Sequence, residues 1–296
     1  MAHLSDEQVQ SLQLMATKIR ISMIDMLAEA GSGHTAGPLG MADIFTAMYF
    51  HILNHDPKNP EWQDRDRLFL SNGHICPIRY TTMAHAGYFP LEELMTLRKF
   101  GSRLQGHPER EKLPGIETTS GPLGSGLSQA AGYAHAARMD GKKFRTYCCM
   151  SDGELDEGNS WEGIMFAGNN KLSNLTAIVD RNNIQINGMT ERVMPLEPLA
   201  DKWRAFNWHV IEIDGHNFQA IVDAAEEAKA IYEKPTVIIA HNIPGRGIKE
   251  IEFDYRWHGS PPGAGPEDVW KKADQEKEML KGLRTLQGVI EAGHGE

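Results

Sequence analysis

Cysteine is scarce, with Cys76, Cys148 and Cys149 the three in 296 residues. An odd number, two of them adjacent and none at zinc spacing, excludes a disulfide framework and fits a reducing compartment. Long apolar runs are missing too, and none approaches the roughly 18 residues a membrane span needs. The start, MAHLSDEQ, has neither a basic stretch nor an apolar core, so no secretory signal is expected. Positive charge is in deficit: 30 Lys and Arg against 40 Asp and Glu leave a formal charge of −10. Without a basic stripe to neutralise phosphates, a nucleic-acid partner is not expected. The chain therefore reads as cytoplasmic, with neither membrane nor nucleic acid as partner. Phosphorylated small molecules stay open, because backbone amides, a metal and a few histidines hold them without net positive charge.

What is present is an ordinary globular composition, 41% hydrophobic and 24% charged, at a length that buries a sizeable core. Ser5 and Gln8 form a capping box ahead of a helix whose apolar positions, Val9 through Leu27, recur at helical spacing up to Gly31. Residues 31–40 (GSGHTAGPLG) read as a glycine-rich loop, and 42–53 as a second helix. LFLS, ahead of Asn72-Gly73-His74, reads as a short buried strand, and a helix is expected around 91–100. From Lys112 onward the alternation is regular. Helices are expected over 126–139, 161–170 and 218–232, and strands over 145–150, 175–180, 208–214 and 235–240. Strands alternating with helices imply an α/β fold, a doubly wound, mostly parallel sheet with helices on both faces. No repeat or linker divides the chain, so residues 1–296 read as a single domain, with a helical tail over about 266–292 packed on its outside.

In such sheets ligands collect at the carboxyl ends of the strands. Ser151-Asp152-Gly153-Glu154 follows one strand directly. A carboxylate there, next to a glycine that lets the backbone turn, suits a hard cation with oxygen ligands. Asp180-Arg181-Asn182-Asn183-Ile184 ends the next strand, where Asn182 offers an amide oxygen and Ile184 a backbone carbonyl. Either cluster alone is also an ordinary turn. Taken together, Asp152, Asn182 and Ile184 can complete an octahedron around a divalent metal with diphosphate oxygens and water. The pair resembles the thiamine diphosphate motif, with Ser151 in place of its first glycine.

Further segments resemble the transketolase family, in family order. Ser32–Ile44 (SGHTAGPLGMADI) resembles its Ser-Gly-His-Pro-Gly loop, with Thr35-Ala36 where proline and glycine are usual. Asp66–His74 (DRLFLSNGH), Gly106-His107-Pro108-Glu109, Glu117–Gly126 (ETTSGPLGSG) and Trp257-His258-Gly259 resemble other family motifs. The resemblance implies that His34, His107 and His258 act in catalysis. It implies that His74, Gly121, Pro122, Leu123, Gly153, Glu154, Glu157, Asn182 and His258 hold the cofactor. It further implies thiamine diphosphate with Mg2+, or another divalent cation such as Ca2+ or Mn2+. Glu157 matches a family acid placed between the two active sites of a dimer. His216 matches a motif too, and is expected to have a structural loop role. His3, His51, His55, His85, His135, His209, His241 and His294 are expected to be structural or solvated.

Full-length transketolases continue into a pyrimidine-binding domain and a third domain, whereas this chain ends soon after the first. The resemblance thus implies the N-terminal subunit of a split transketolase, with a separately encoded C-terminal subunit in an α2β2 assembly. In the completed site the thiazolium C2 carbanion would cleave a ketose and pass its two-carbon glycolaldehyde unit to an aldose. Two other readings stay open: part of a related thiamine enzyme acting on a 2-keto acid, and a non-catalytic cofactor-binding scaffold. The four motif histidines favour polyhydroxylated sugar substrates. The anionic tail of the sugar, phosphate or another group, is not readable from these residues.

Overall fold

The computed structural model describes residues 3–293; His294 lies outside them. Helix α1 (Asp6–Ala30) starts at Ser5, whose hydroxyl accepts the Gln8 amide while the Gln8 side chain accepts the Ser5 amide. It ends at Gly31, which takes the left-handed conformation (φ 57°) that a Cβ disfavours. The expected loop is shorter than its composition suggests, because Ala36–Gly40 forms a short helix, α2, followed by α3 (Ala42–Ala47) and a π turn over Met48–Ile52. Residues 36–40 are all buried, so their backbone groups must be paired inside the protein, and helical bonds such as Met41 N–H to Gly37 O (3.0 Å) do this.

Strand β1 (Arg67–Leu70) leads through a tight turn into α4 (Cys76–His85). The helix expected around 91–100 is a 3-10 helix over Leu91–Thr96, and Arg98 just beyond it has a left-handed backbone (φ 59°). Then come α5 (Ser125–Met139), β2 (Thr146–Ser151), α6 (Gly158–Asn169) and β3 (Leu175–Arg181). A two-stranded hairpin, β4 (Ile184–Gln185) and β5 (Gly188–Met189), runs into α7 (Thr190–Val193) and α8 (Leu199–Ala205). None of these four is anticipated by apolar periodicity. The chain closes with β6 (His209–Asp214), α9 (Phe218–Ala230), β7 (Thr236–His241) and α10 (Gln275–Glu291). The tail thus becomes α-helical later than expected. The buried Gln275 side chain accepts from Gly263 N–H (3.0 Å) and Gly265 N–H (3.1 Å) and donates to Pro266 O (2.8 Å), fixing the preceding segment as a loop.

Five strands form one parallel sheet in the order β1-β2-β3-β7-β6. Successive strand residues point to opposite faces, and each face has its own core. Tyr147, Cys149 and Ile178 pack with α1, α3, α4 and α9, while Cys148, Met150, Ala177 and Val179 pack with α5, α6 and α8. The adjacent cysteines therefore face opposite cores as free thiols, and burial pushes Cys149 up to about 12. This is the doubly wound arrangement expected. Because every strand runs the same way, all carboxyl ends open on one edge. There Ser151 stands in register with Asp180, and Asp180 with Ala240.

Candidate active site at the carboxyl edge of the sheet

Three of the four motif histidines meet at this edge. The rings of His34 and His74 lie 4.9 Å apart, His74 and His258 5.2 Å, and His34 and His258 5.4 Å. Cross-links between loops hold them there. The Thr35 hydroxyl donates to Ser260 O (2.7 Å), tying the His34 loop to the His258 loop. Arg98 donates to Ser32 Oγ (2.7 Å) and Gly106 O (3.3 Å), tying the His34 loop to the one carrying His107. His107 is exposed at the rim.

Burial disfavours the charged imidazolium throughout this cluster. It pushes His34 down to about 3, helped by His258, Arg98 and His107, and His258 down to about 4. His74 falls well below the ordinary histidine range, and burial and Arg98 lower His107. At neutral pH the cluster is a set of neutral imidazoles that can donate or accept hydrogen bonds. Several polar atoms here are buried with no partner: His34 Nδ1, His258 Nδ1, both amide atoms of Asn72, and Ser120 Oγ. Ser120 abuts Gly73, where a Cβ would lie 2.4 Å from its hydroxyl, and beside it Gly121 faces open space. Orphaned polar groups next to open space are what a polar ligand would satisfy.

The oxygen-donor set sits at the ends of β2 and β3. Asp152 is fully buried, Asn182 and Ile184 nearly so. Asp152 Oδ1 accepts Gly153 N–H (2.7 Å), and its Oδ2 accepts Asn183 N–H (2.7 Å) and Arg181 Nη1 (3.0 Å). Asn182 donates to Asp180 Oδ2 (2.8 Å), and its own oxygen accepts Ile184 N–H (3.0 Å). Burial raises Asp152 to about 6 against the pull of Arg181, and Asp180 to about 7, with Asp152 adding to the shift. Burial thus disfavours ionisation of both acids at this corner. Among the described residues no three His, Cys, Asp or Glu side chains converge on a common metal position. The candidate set, one carboxylate with amide and carbonyl oxygens, fits a hard cation that also takes phosphate oxygens.

Of the residues expected to hold the cofactor, Pro122 and Glu157 are exposed, and Gly121, Leu123 and Gly153 partly so. Glu157 stands beside Gly124, whose left-handed backbone (φ 81°) opens α5. Glu154 lies deeper than these. Its carboxylate is fully buried and turned inward, accepting the Ser71 hydroxyl, Gly124 N–H (2.6 Å) and Ser151 N–H (3.1 Å). These bonds tie the turn after β2 to the end of β1 and the start of α5. His216 is held through both ring nitrogens, with Nδ1 on Asp43 Oδ2 (2.8 Å) and Nε2 accepting Ile243 N–H (2.8 Å). Arg98, Arg181 and Asn72 have no role in the motif reading. Asn72 and Arg181 lie inside quoted motifs, but the partners of Arg181 are distant in the chain and the orphaned amide of Asn72 shows only in the fold.

Comparison with known proteins agrees with this geometry. The sequence matches the family model described as transketolase, thiamine diphosphate binding domain, over residues 11–275. The chain belongs to the transketolase family. It is 42% identical to a 6-deoxy-6-sulfo-D-fructose transketolase subunit from a Clostridium species, and 38% identical to an apulose-4-phosphate transketolase subunit from Phocaeicola vulgatus. Each match covers 93% of this chain and 98% of the relative. Transketolase 2 of Escherichia coli is 41% identical, over 84% of this chain but only 39% of its own length. The solved transketolase of Campylobacter jejuni superposes with a TM-score of 0.80 at 33% identity, over 95% of this chain and 48% of that one.

Proposed function

We propose that this chain is the N-terminal, diphosphate-binding subunit of a two-chain transketolase that moves a two-carbon unit from a ketose to an aldose. The observation that carries the reading is the meeting of His34, His74 and His258 beside Asp152, Asn182 and Ile184 at one sheet edge. Thiamine diphosphate, when bound, supplies the nucleophilic carbon for cleaving and remaking the carbon–carbon bond. Asp152, the Asn182 amide and the Ile184 carbonyl would hold a divalent cation, Mg2+ foremost, with the diphosphate. His74, Gly121, Pro122, Leu123, Gly153, Glu157 and His258 would lie along the cofactor, and Glu154 would brace their loop from behind. His34, His107 and His258 would bind sugar hydroxyls and exchange protons with the substrate.

Two surfaces suit protein partners. Tyr133, Met139, Met165 and Phe166 are exposed on the mutually packed α5 and α6, the helices that start beside Glu157, and a second copy would bury them. Ile186, Val193 and Met194 are exposed around the hairpin beside the metal set, where a C-terminal subunit would close over the cofactor. An α2β2 assembly satisfies both. A cytoplasmic location fits three free, buried thiols, and among the described residues no helix is long and apolar enough to cross a membrane. The relatives' names include a sulfo-sugar and a sugar phosphate, so a ketose with an anionic tail is the donor class proposed.

The test is reconstitution with Mg2+, thiamine diphosphate, xylulose 5-phosphate and ribose 5-phosphate. The chain alone should transfer nothing, and the mixture with a transketolase C-terminal subunit should be active. Robust activity of the isolated chain would refute the two-chain reading. Asp152→Ala should abolish Mg2+-dependent cofactor binding, and unchanged affinity would mean that the metal site is misplaced.

A further inference from the structure

Arg181 has no part in the reading above, yet its guanidinium bonds three carboxylates at this edge. The two oxygens of a carboxylate offer about four lone-pair directions, and this chain already fills three of those on Asp152. One Oδ1 direction goes to Gly153 N–H, and both Oδ2 directions go to Asn183 N–H and Arg181 Nη1. The single direction left open is on Oδ1. Arg181 cannot swing away from Oδ2, because Nη2 is held from the far side by Glu191 Oε1 (2.6 Å) and Glu197 Oε1 (2.9 Å). Its side chain is buried while those two acids reach the surface. The guanidinium is planar, always charged and wedged between three carboxylates, which makes it a rigid spacer.

We propose that Arg181 is a positioning residue that restricts Asp152 to one-oxygen ligation and so biases this site toward a small octahedral cation, Mg2+ or Mn2+, over Ca2+. The inference rests on the metal-site reading above. Mg2+ takes a tight octahedral shell of single oxygens, whereas Ca2+ takes roughly six to eight and accepts both oxygens of one carboxylate. Freeing Oδ2 therefore benefits Ca2+ more than Mg2+. Removing the arginine's charge strengthens attraction for both ions alike, and that effect cancels in the ratio of their affinities. General loosening of the site cancels in the same way, so the ratio separates positioning from mere structural support.

The experiment titrates the full chain reconstituted with a transketolase C-terminal subunit, with thiamine diphosphate present, with MgCl2 and separately with CaCl2 by calorimetry. In Arg181→Gln the Ca2+-to-Mg2+ affinity ratio should rise about tenfold, the scale on which groups behind a metal ligand act. The Glu191→Gln/Glu197→Gln variant keeps the guanidinium but frees its far side, and should move the ratio the same way by less. Arg181→Lys, with one compact ammonium, should fall between wild type and Arg181→Gln. An unchanged ratio in these variants, while Asp152→Asn loses both ions, overturns the proposal and leaves the metal site standing. If Asp152→Asn binds as wild type does, or wild type shows no saturable binding at millimolar metal, the metal-site reading falls and this inference with it. Should Arg181→Gln fail to fold, the double variant on the two surface acids decides.

Discussion

Burial of the histidine cluster makes stability depend on pH in a way a single substitution can isolate. His258 is 8% exposed, its Nδ1 has no partner, and burial lowers it from 6.5 to about 4. Between those values the unfolded chain binds a proton that the folded chain does not, so stability falls as pH drops below the unfolded value. From pH 7.5 to 5.5 the loss assigned to His258 is about 1.3 kcal/mol, from one proton's linkage between those two pKa values. Asp152 and Asp180 act with the opposite sign, because their raised values let the folded state keep protons that the unfolded state has lost. These terms cancel when wild type is compared with His258→Gln. The assay is urea denaturation of both proteins at pH 7.5 and 5.5. The stability difference should shift by about 1.3 kcal/mol in favour of the variant at the lower pH, or roughly 3 °C in Tm. Parallel behaviour at the two pH values would show that His258 titrates normally, and the claim of a desolvated, neutral cluster would be refuted.

Glu154→Ala should destabilise the chain by about 3 kcal/mol, because it leaves the Ser71 hydroxyl and the Gly124 and Ser151 amides without their buried acceptor; a thermal melt within error of wild type would contradict the bracing role. Gly168→Ala should also lower Tm, although alanine favours a helix by about 1 kcal/mol. A Cβ there would lie 1.9 Å from the Phe206 carbonyl oxygen, and a raised Tm would mean that the α6–α8 packing is looser than described.

What can be read from the chain in advance follows from how far apart the deciding partners lie. The start of α1 is legible because Ser5 and Gln8 satisfy each other three residues apart. Strands β2, β3 and β7 are legible because a strand buried on both faces is apolar at nearly every position. Ala36–Gly40 reads as a loop because glycine and proline signal one, and only tertiary burial makes a helix of it. The hairpin over 184–189 has two residues per strand, too few for any alternation to register. Motif resemblance singles out His34, His74 and His258, which meet in the fold, but their lowered pKa values depend on burial that only the folded chain supplies.

Asp152 and Glu154 show most clearly where reading by motif ends. They stand two residues apart in one tetrapeptide, both are fully buried acids, and both belong to the motif by position. The turn that follows β2 sends them opposite ways. Asp152 faces the end of β3, where two amides and Arg181 leave it one open lone pair. Glu154 faces the Ser71 and Gly124 loops, where its carboxylate accepts the Ser71 hydroxyl and the Gly124 and Ser151 amides. The two acids differ in which segments supply their donors, Arg181 and Asn183 for one and Ser71 and Gly124 for the other, and no property of the tetrapeptide itself contains that difference.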